Sequence, residues 1–277
     1  MDRKTLINHV IDYMMEHLQE DLTLDQLAAQ FYISKYHFCH MFKEETGESI
    51  YAFMKRNKID QSAVDMKLYP TKPVTDIGLD YGYSSSNFSS AFKVQHHVSP
   101  TMFKASLTAH NILVPYTPKR IIQFQSAESY ESCIQLRTLN DMFVLYERYI
   151  GNYINMEKQW FQFLDKHAAF LNKNTILIER FFHDPSITDL THCIYDICIT
   201  VKEGSIANDV MWIKGGNFII YHFDGDMSDI YEALQGVFSI WLPQSQYTMI
   251  QPYGLNIYHS IDREHHRVKM DLCIPVA

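Results

Sequence analysis

The sequence predicts a two-domain chain: an all-α N-terminal half of seven helices, and an α+β C-terminal half of two strand-helix-strand-strand repeats. Three observations carry this. The 277 residues are enough for two ordinary domains. The apolar pattern changes near residues 110–128, from helical spacing to short β-rich runs alternating with amphipathic stretches. Within each half the pattern recurs, at a period of about fifty residues in the first. The expected domains are residues 1–108 and 129–277. A linker at 109–128 joins them, marked by Pro115, Pro118 and the polar run QFQSAESYES.

In the first half, Leu6, Val10, Tyr13, Met14 and Leu18 fall at helical spacing over 5–18. Thr23, with Gln26 three residues later, has the form of a capping box and starts a short helix over 24–31. Ser34 caps a third helix that Gly47 stops, with Phe38, Met41 and Phe42 on one face. A long helix over 50–68 ends before Pro70 and Pro73. The pattern then repeats: a short helix over 74–81, Gly82, a cap at Ser84 or Ser85, and a helix to about Gln95 with Phe88 and Phe92 on one face. Ser99-Pro100 opens the seventh, with proline in its first turn. A short helix, tight turn, serine cap and second helix thus occur twice, as two helix-turn-helix units.

In such a unit the second helix enters the major groove, and its outward N-terminal side chains meet base edges. The first unit offers Tyr36, Cys39 and His40, with Lys35 and Lys43 placed for phosphates; the second offers Ser85, Ser86, Asn87 and Ser90, with Lys93 behind. Asparagine suits adenine and serine suits either partner. The chain's net charge of -8 restrains this reading. The first half is no basic block, so phosphate contacts must rest on Lys35, Lys43, Lys55, Arg56, Lys58 and Lys93. Few contacts predict a shallow salt dependence, with a slope of log affinity against log salt near about -4.

The runs LTLDQLAAQFYISKYHFCHMFKEETGESIYAFM and VTDIGLDYGYSSSNFSSAFKVQHHVSPTMFK resemble the AraC/XylS-type DNA-binding domain over residues 5–107. That resemblance implies two units contacting successive major grooves of double-stranded DNA, transcriptional control with activation favoured, and RNA polymerase as a protein partner. The sequence departs from the family at Ser90, where arginine is usual. It also departs at His96-His97, where an aromatic and glycine are usual.

The second half reads as strands over 133–148, 175–182, 191–201, 210–223, 254–260 and 268–276. Helices are expected over 154–170 and 227–242, the first with Trp160, Phe163, Leu164 and Leu171 inward. Glycine-led turns at 151–153 and 225–227 precede both helices. Tyr153, Tyr195, Trp212, Phe218, Trp241 and Tyr258 supply aromatic faces for a pocket that accepts flat rings. The markers RYIGNY, HDP, YDICI, GGNF, WLP and IPV resemble, in order, the GyrI-like effector-binding domain over about 132–276, and the two domains together resemble the Rob-type arrangement. That resemblance implies a pocket between the half-repeats, lined by aromatics, for a small aromatic or lipophilic effector, often a bulky lipophilic cation. Relatives commonly place glutamate two residues before the strand tyrosine; Asn256 stands there before Tyr258. An amide is neither a base nor a charge. The expectation is therefore a neutral-selecting pocket and no hydrolase activity; tight cation binding would instead point to Glu179 or Asp196 as the counter-charge.

The composition bounds the rest. Apolar content of 47% and aromatic content of 14% suffice for packed cores. The N-terminus has scattered charges and lacks the apolar core of a signal peptide, and no run of about 18 apolar residues is present, so no membrane association is expected. Five cysteines without CxxC spacing fit neither a disulfide framework nor a zinc site and point to a reduced cytoplasm. No metal, cofactor or catalytic set is expected. The rival reading makes the acidic second half a protein-interaction module without a small ligand.

Overall fold

The computed structural model describes residues 2–107, 111–113, 121–205 and 209–277. The chain divides into two compact units, Met1–Ala109 and His110–Ala277. Of the expected linker, residues 109–110 and 114–120 lie outside the described residues. Asn111–Leu113 (β1) pairs antiparallel with Ile121–Gln123 (β2), and Ala127–Glu131 is a short helix, α8.

Unit one holds helices α1 (Arg3–Glu16), α2 (Leu24–Gln30), α3 (Lys35–Thr46), α4 (Ile50–Leu68), α5 (Val74–Asp80), α6 (Ser85–His96) and α7 (Pro100–Ser106). Their ends are set by local chemistry. Asp2 caps α1, accepting from Thr5 N, and Thr23 and Gln26 form the full capping box of α2. Ser49, Ser84 and Ser99 each cap the helix that follows. Two aromatic cores result. Phe38 and Phe42 of α3 pack with Phe53 of α4; Phe88 and Phe92 of α6 pack with Phe103 of α7. Phe38, Phe42, Phe88 and Phe92 are all buried, each contributing about 1.5–3 kcal/mol.

The two departures at the end of α6 have a physical account. His96 fills the aromatic slot: its ring lies 4.5 Å from Phe92 and 5.6 Å from Phe103. His97 occupies the left-handed C-cap with φ 62°, where the equivalent position after α3 is Gly47 with φ 80°. An imidazole thus replaces the usual aromatic, and a histidine accepts the strain that glycine avoids.

Unit two is built on an eight-stranded antiparallel sheet. Its strands are β3 (Ile134–Leu139), β4 (Met142–Ile150), β5 (Leu177–Phe181), β6 (Ile194–Thr200), β7 (Val210–Ile213), β8 (Gly216–Asp226), β9 (Gly254–Asp262) and β10 (Arg267–Pro275), in the order β3-β8-β10-β9-β5-β6-β4-β7. The α+β class and the internal repeat are as the sequence predicts, with one more strand at the start of each repeat. The run expected over 133–148 breaks at Asn140-Asp141, and the run over 210–223 breaks at Lys214-Gly215. The Asp141 carboxylate accepts from Gly215 N at 2.7 Å, tying the two breaks together. Each break sends the first strand of one repeat to the edge of the other: β3 pairs with β8, and β7 with β4. The sheet is therefore a two-fold arrangement with exchanged edges, its centre between β5 and β9.

The first repeat's helix, α9 (Met156–Lys166), is shorter than expected. Asn152 caps a 3₁₀ turn ahead of it, and His167 ends it. Trp160 and Phe163 face the sheet and cluster with Leu145, Ile197 and Ile199. Leu171, expected inward, is 38% exposed, because the helix has already stopped and a 3₁₀ turn intervenes. The expected second helix is a composite: a 3₁₀ turn capped by Asp226, then α10 (Ile230–Gly236), a π-helical turn Val237–Trp241 and a further 3₁₀ turn. Gly225, read as part of a turn, lies inside β8. Gly236 sits against α8. A Cβ there would lie 2.0 Å from the Tyr130 hydroxyl, so this close approach requires glycine.

Candidate functional site

On α3 and α6 the buried phenylalanines fix which faces look outward. Lys35, Tyr36, Cys39, His40 and Lys43 are all exposed on α3; Ser85, Ser86, Asn87, Ser90 and Lys93 are exposed on α6. Tyr36 is 81% exposed, a large apolar ring held in solvent at the start of its helix. The fifty-residue register adds His37, the counterpart of Asn87, to the exposed set; the sequence reading passed over it. His40 lies between Tyr36, with ring centroids 5.9 Å apart, and Glu44, at 3.4 Å. Arg3 of α1 pairs with Glu44 and Glu45, which fixes the far end of this row.

The basic side chains are not equally free. Arg56 is half-buried and pairs with Glu48. Lys58 donates to the carbonyls of Glu20 and Tyr81 at 3.0 and 3.4 Å, joining the end of α1 to the end of α5. Both were expected to meet phosphates; both hold helices together instead. Lys35 is exposed but ion-paired with Asp25.

In unit two the candidate aromatics separate into groups. Tyr153, Tyr195, Asn256 and Tyr258 converge beneath α9. Tyr195 is stacked between Tyr149 and Tyr153, with centroids 5.7 and 4.6 Å away, and donates to Gln159 Oε1 at 2.5 Å. Trp160 packs edge-on against Tyr258 at 5.7 Å. The other three stand elsewhere. Trp212 lies on edge strand β7 beside Phe143, half exposed. Phe218 is buried in β8, opposite Pro275 and Arg137. Trp241 closes the π-helical turn, where it donates to Glu131 and stacks on Tyr247.

At the centre of the convergent group stands one of the two acids the sequence offers as an alternative counter-charge. Glu179 of β5 lies directly opposite Asn256 of β9 and is 4% exposed. Its Oε2 accepts from the Tyr258 hydroxyl at 2.8 Å and from Asn256 Nδ2 at 3.1 Å. Burial pushes its carboxyl above the usual range, against the pull of those two hydrogen bonds. Tyr258 is pushed up by burial and by Glu179 beside it, and Tyr195 to about 12, chiefly by burial. The expectation of a site without a carboxyl is thus corrected: the acid missing at position 256 is present on the neighbouring strand. The repeat itself held the signal, since LIERF and GLNIY align with Glu179 on Asn256. The other buried acid, Asp196, is not available in the same way. Arg148 holds it through two contacts of 2.8 and 2.9 Å, and Arg180 through 2.8 and 2.6 Å. Among the described residues, no group of three or more His, Cys, Asp or Glu side chains is placed to hold a metal ion, and no helix is long and apolar enough to cross a membrane.

Comparison with known proteins matches both halves. A family model described as a GyrI-like small molecule binding domain covers residues 134–277, and one described as a helix-turn-helix domain covers residues 27–106. The Right origin-binding protein of Escherichia coli (strain K12) is 35% identical over 107 residues, 38% of this chain and 37% of that one. The match therefore spans little more than a third of that relative's length. Among solved structures, the DNA-binding domain of AdpA in complex with a target DNA is 24% identical, with a TM-score of 0.35, over 37% of this chain and 93% of that one. The EcmrR C-terminal domain is 14% identical, with a TM-score of 0.41, over 52% of this chain and 96% of that one.

Proposed function

Because the chain belongs to the GyrI-like family over residues 134–277 and carries a helix-turn-helix domain ahead of it, we propose that it is a DNA-binding transcriptional regulator whose second unit admits a small aromatic or lipophilic effector. The observation that carries the DNA half is the pair of outward faces on α3 and α6. His40, Tyr36 and Cys39 read bases in one groove, and Ser85, Ser86, Asn87 and Ser90 in the next, with Lys35, Lys43 and Lys93 on phosphates. The protein acts in the cytoplasm, as an activator with RNA polymerase as its partner.

Glu179 carries the effector half. A buried carboxyl whose hydrogen bonds come from neutral groups raises the energy of its own charge, and a cation beside it relieves that cost. The Tyr149–Tyr195–Tyr153 stack and Trp160 supply ring faces around it. Asn256 does not by itself exclude hydrolysis, since Glu179 supplies a carboxyl; that carboxyl is engaged as a double acceptor from Asn256 and Tyr258, which favours binding over catalysis. Footprinting on the DNA upstream of its own gene, with and without a candidate effector, tests both halves. Protection of two successive major grooves is expected. No protection of specific sequence sinks the DNA reading. Protection with no thermal stabilisation by any small molecule favours the interaction-module alternative.

A further inference from the structure

Asn256 is 2% exposed, and its two polar atoms have different fates. Nδ2 donates to Glu179 Oε2. Oδ1 is buried without a hydrogen-bond partner among the described residues. The orientation is forced. Glu179 Oε2 already accepts from Tyr258, so turning the amide would set its oxygen against a carboxyl oxygen and leave its donor unused. An unmade hydrogen bond in a buried site is costly, on the order of 1–3 kcal/mol, and native structures retain few of them. Glu179 adds to the imbalance. Both of its neutral donors reach the same oxygen, Oε2, and Oε1 receives neither. The cluster is thus rich in acceptors, and the rings of Tyr195, Tyr153, Trp160 and Tyr258 enclose it.

We infer that the effector is a cation that donates hydrogen bonds, a protonated amine or amidine on a flat aromatic body, and not a quaternary cation. This rests on the effector reading above and narrows it. An amidinium presents several N–H groups in one plane. One edge satisfies Glu179 while a second N–H reaches Asn256 Oδ1. A quaternary ammonium or phosphonium group offers only C–H, so it neutralises the carboxyl and leaves Oδ1 unmet. A neutral amide offers donors but no charge. The aryl body then lies against the tyrosine stack and Trp160, whose ring faces attract cations. Since the group is closed over by α9, entry displaces that helix from Tyr258, and the bound form is a minor conformation that the effector makes dominant.

Calorimetry on the full chain with benzamidine, benzyltrimethylammonium and benzamide, and with their naphthyl homologues, tests this. Benzamidinium is expected to bind at least about tenfold tighter than the quaternary cation, since one satisfied acceptor is worth roughly that ratio. Asn256→Leu should weaken benzamidinium about tenfold and change the quaternary cation by no more than about twofold. Thermal unfolding of the ligand-free Asn256→Leu chain, with its retained binding of benzyltrimethylammonium, guards against a folding defect. Equal affinity of the two cations for the unaltered chain overturns the inference and leaves the effector reading standing. So does tightest binding of benzamide. Binding by none of the series overturns the effector reading, and this inference with it.

Discussion

Asn256 and Glu179 are counterparts in the internal repeat, and they meet across the centre of the sheet with Asn256 Nδ2 3.1 Å from Glu179 Oε2. A two-fold arrangement would ordinarily place two like residues at its centre. Here one is an acid and the other an amide, so one half of the site has charge and the other answers with a donor. The same asymmetry runs outward. Tyr258 carries a hydroxyl to Glu179, whereas its counterpart Phe181 packs against Phe238 and carries none.

Replacement of Glu179 by glutamine should stabilise the protein at neutral pH. Burial holds this carboxyl above its ordinary value of 4.5. Between that value and the folded one, the folded state binds more protons than the unfolded, so stability falls as pH rises through the window. Glu179→Gln keeps the acceptor for Asn256 and Tyr258 and removes the charge. Urea denaturation should show a gain of roughly 1 kcal/mol at pH 7 that disappears below pH 4. A loss at pH 7 would mean that the ionised carboxylate stabilises the fold.

His97→Gly should also stabilise, through a different cause. The residue caps α6 with φ 62°, where an L side chain is strained and glycine is not. The gain is about 0.5–1 kcal/mol, reduced by the freedom glycine adds to the unfolded chain. Thermal unfolding of unit one checks it, and an unchanged or lower midpoint refutes it. Gly47→His, at the equivalent turn, should cost a similar amount.

His96 should make unit one sensitive to acid. Burial outweighs everything else at this imidazole and lowers it to about 4. Asp60 Oδ1 lies 3.4 Å away but already accepts from Gln95 at 2.6 Å, and Arg56 faces the other oxygen at 3.8 Å. The folded pKa is depressed, so the unfolded state takes up the proton first. Stability is complete above pH 6.5 and is lost as pH falls toward 4. In His96→Phe that slope should flatten between pH 6.5 and 4, with little change in stability at pH 8. An equally steep slope in the variant would assign the acid sensitivity to other groups.

The helical half was legible because its signals are local. Caps, stops and the Phe38–Phe42 and Phe88–Phe92 spacings each lie within one or two turns, and all seven helices follow from them. The sheet was legible only in part. Nothing near Asn140 announces that β3 leaves its own repeat, since that depends on β8, more than seventy residues away. Trp212, Phe218 and Trp241 look alike as aromatic residues, yet strand pairing sets the first two apart from Tyr195 and a π-helical turn sets the third apart. Glu179 could be named as a possible acid but not chosen over Asp196 for the same reason: its partners are Asn256 and Tyr258, and the strand pairing that joins them is long-range.

Gly236→Ala should destabilise unit two by about 1–3 kcal/mol, because the added methyl meets the Tyr130 ring. Tyr130 is buried, so its ring has little room to retreat. Pairing the change with Tyr130→Ala should recover part of the loss, measured as a non-additive double-mutant cycle in urea. Strict additivity would show that α8 and the end of α10 do not depend on this contact.

The salt dependence of DNA binding follows from which cations the fold leaves free. Of the six basic side chains Lys35, Lys43, Lys55, Arg56, Lys58 and Lys93, Arg56 serves Glu48 and Lys58 serves two backbone carbonyls. Lys35, Lys43, Lys55 and Lys93 remain exposed. Four neutralised phosphates give a slope of log affinity against log salt near about -4. Lys35 is also paired with Asp25, an exposed contact of small intrinsic worth that nevertheless competes with a phosphate for the same ammonium group. Asp25→Asn should therefore raise affinity a few-fold at low salt, with little change in base preference. His40→Ala should do the opposite: lose about 1–3 kcal/mol at the preferred site, relax one base position and leave the slope unchanged. Both variants can be read in one titration series by fluorescence anisotropy at several salt concentrations. A slope near -8 in the unaltered protein would mean that more basic surface meets DNA than these four lysines. A slope change in His40→Ala would place that side chain on a phosphate and not on a base.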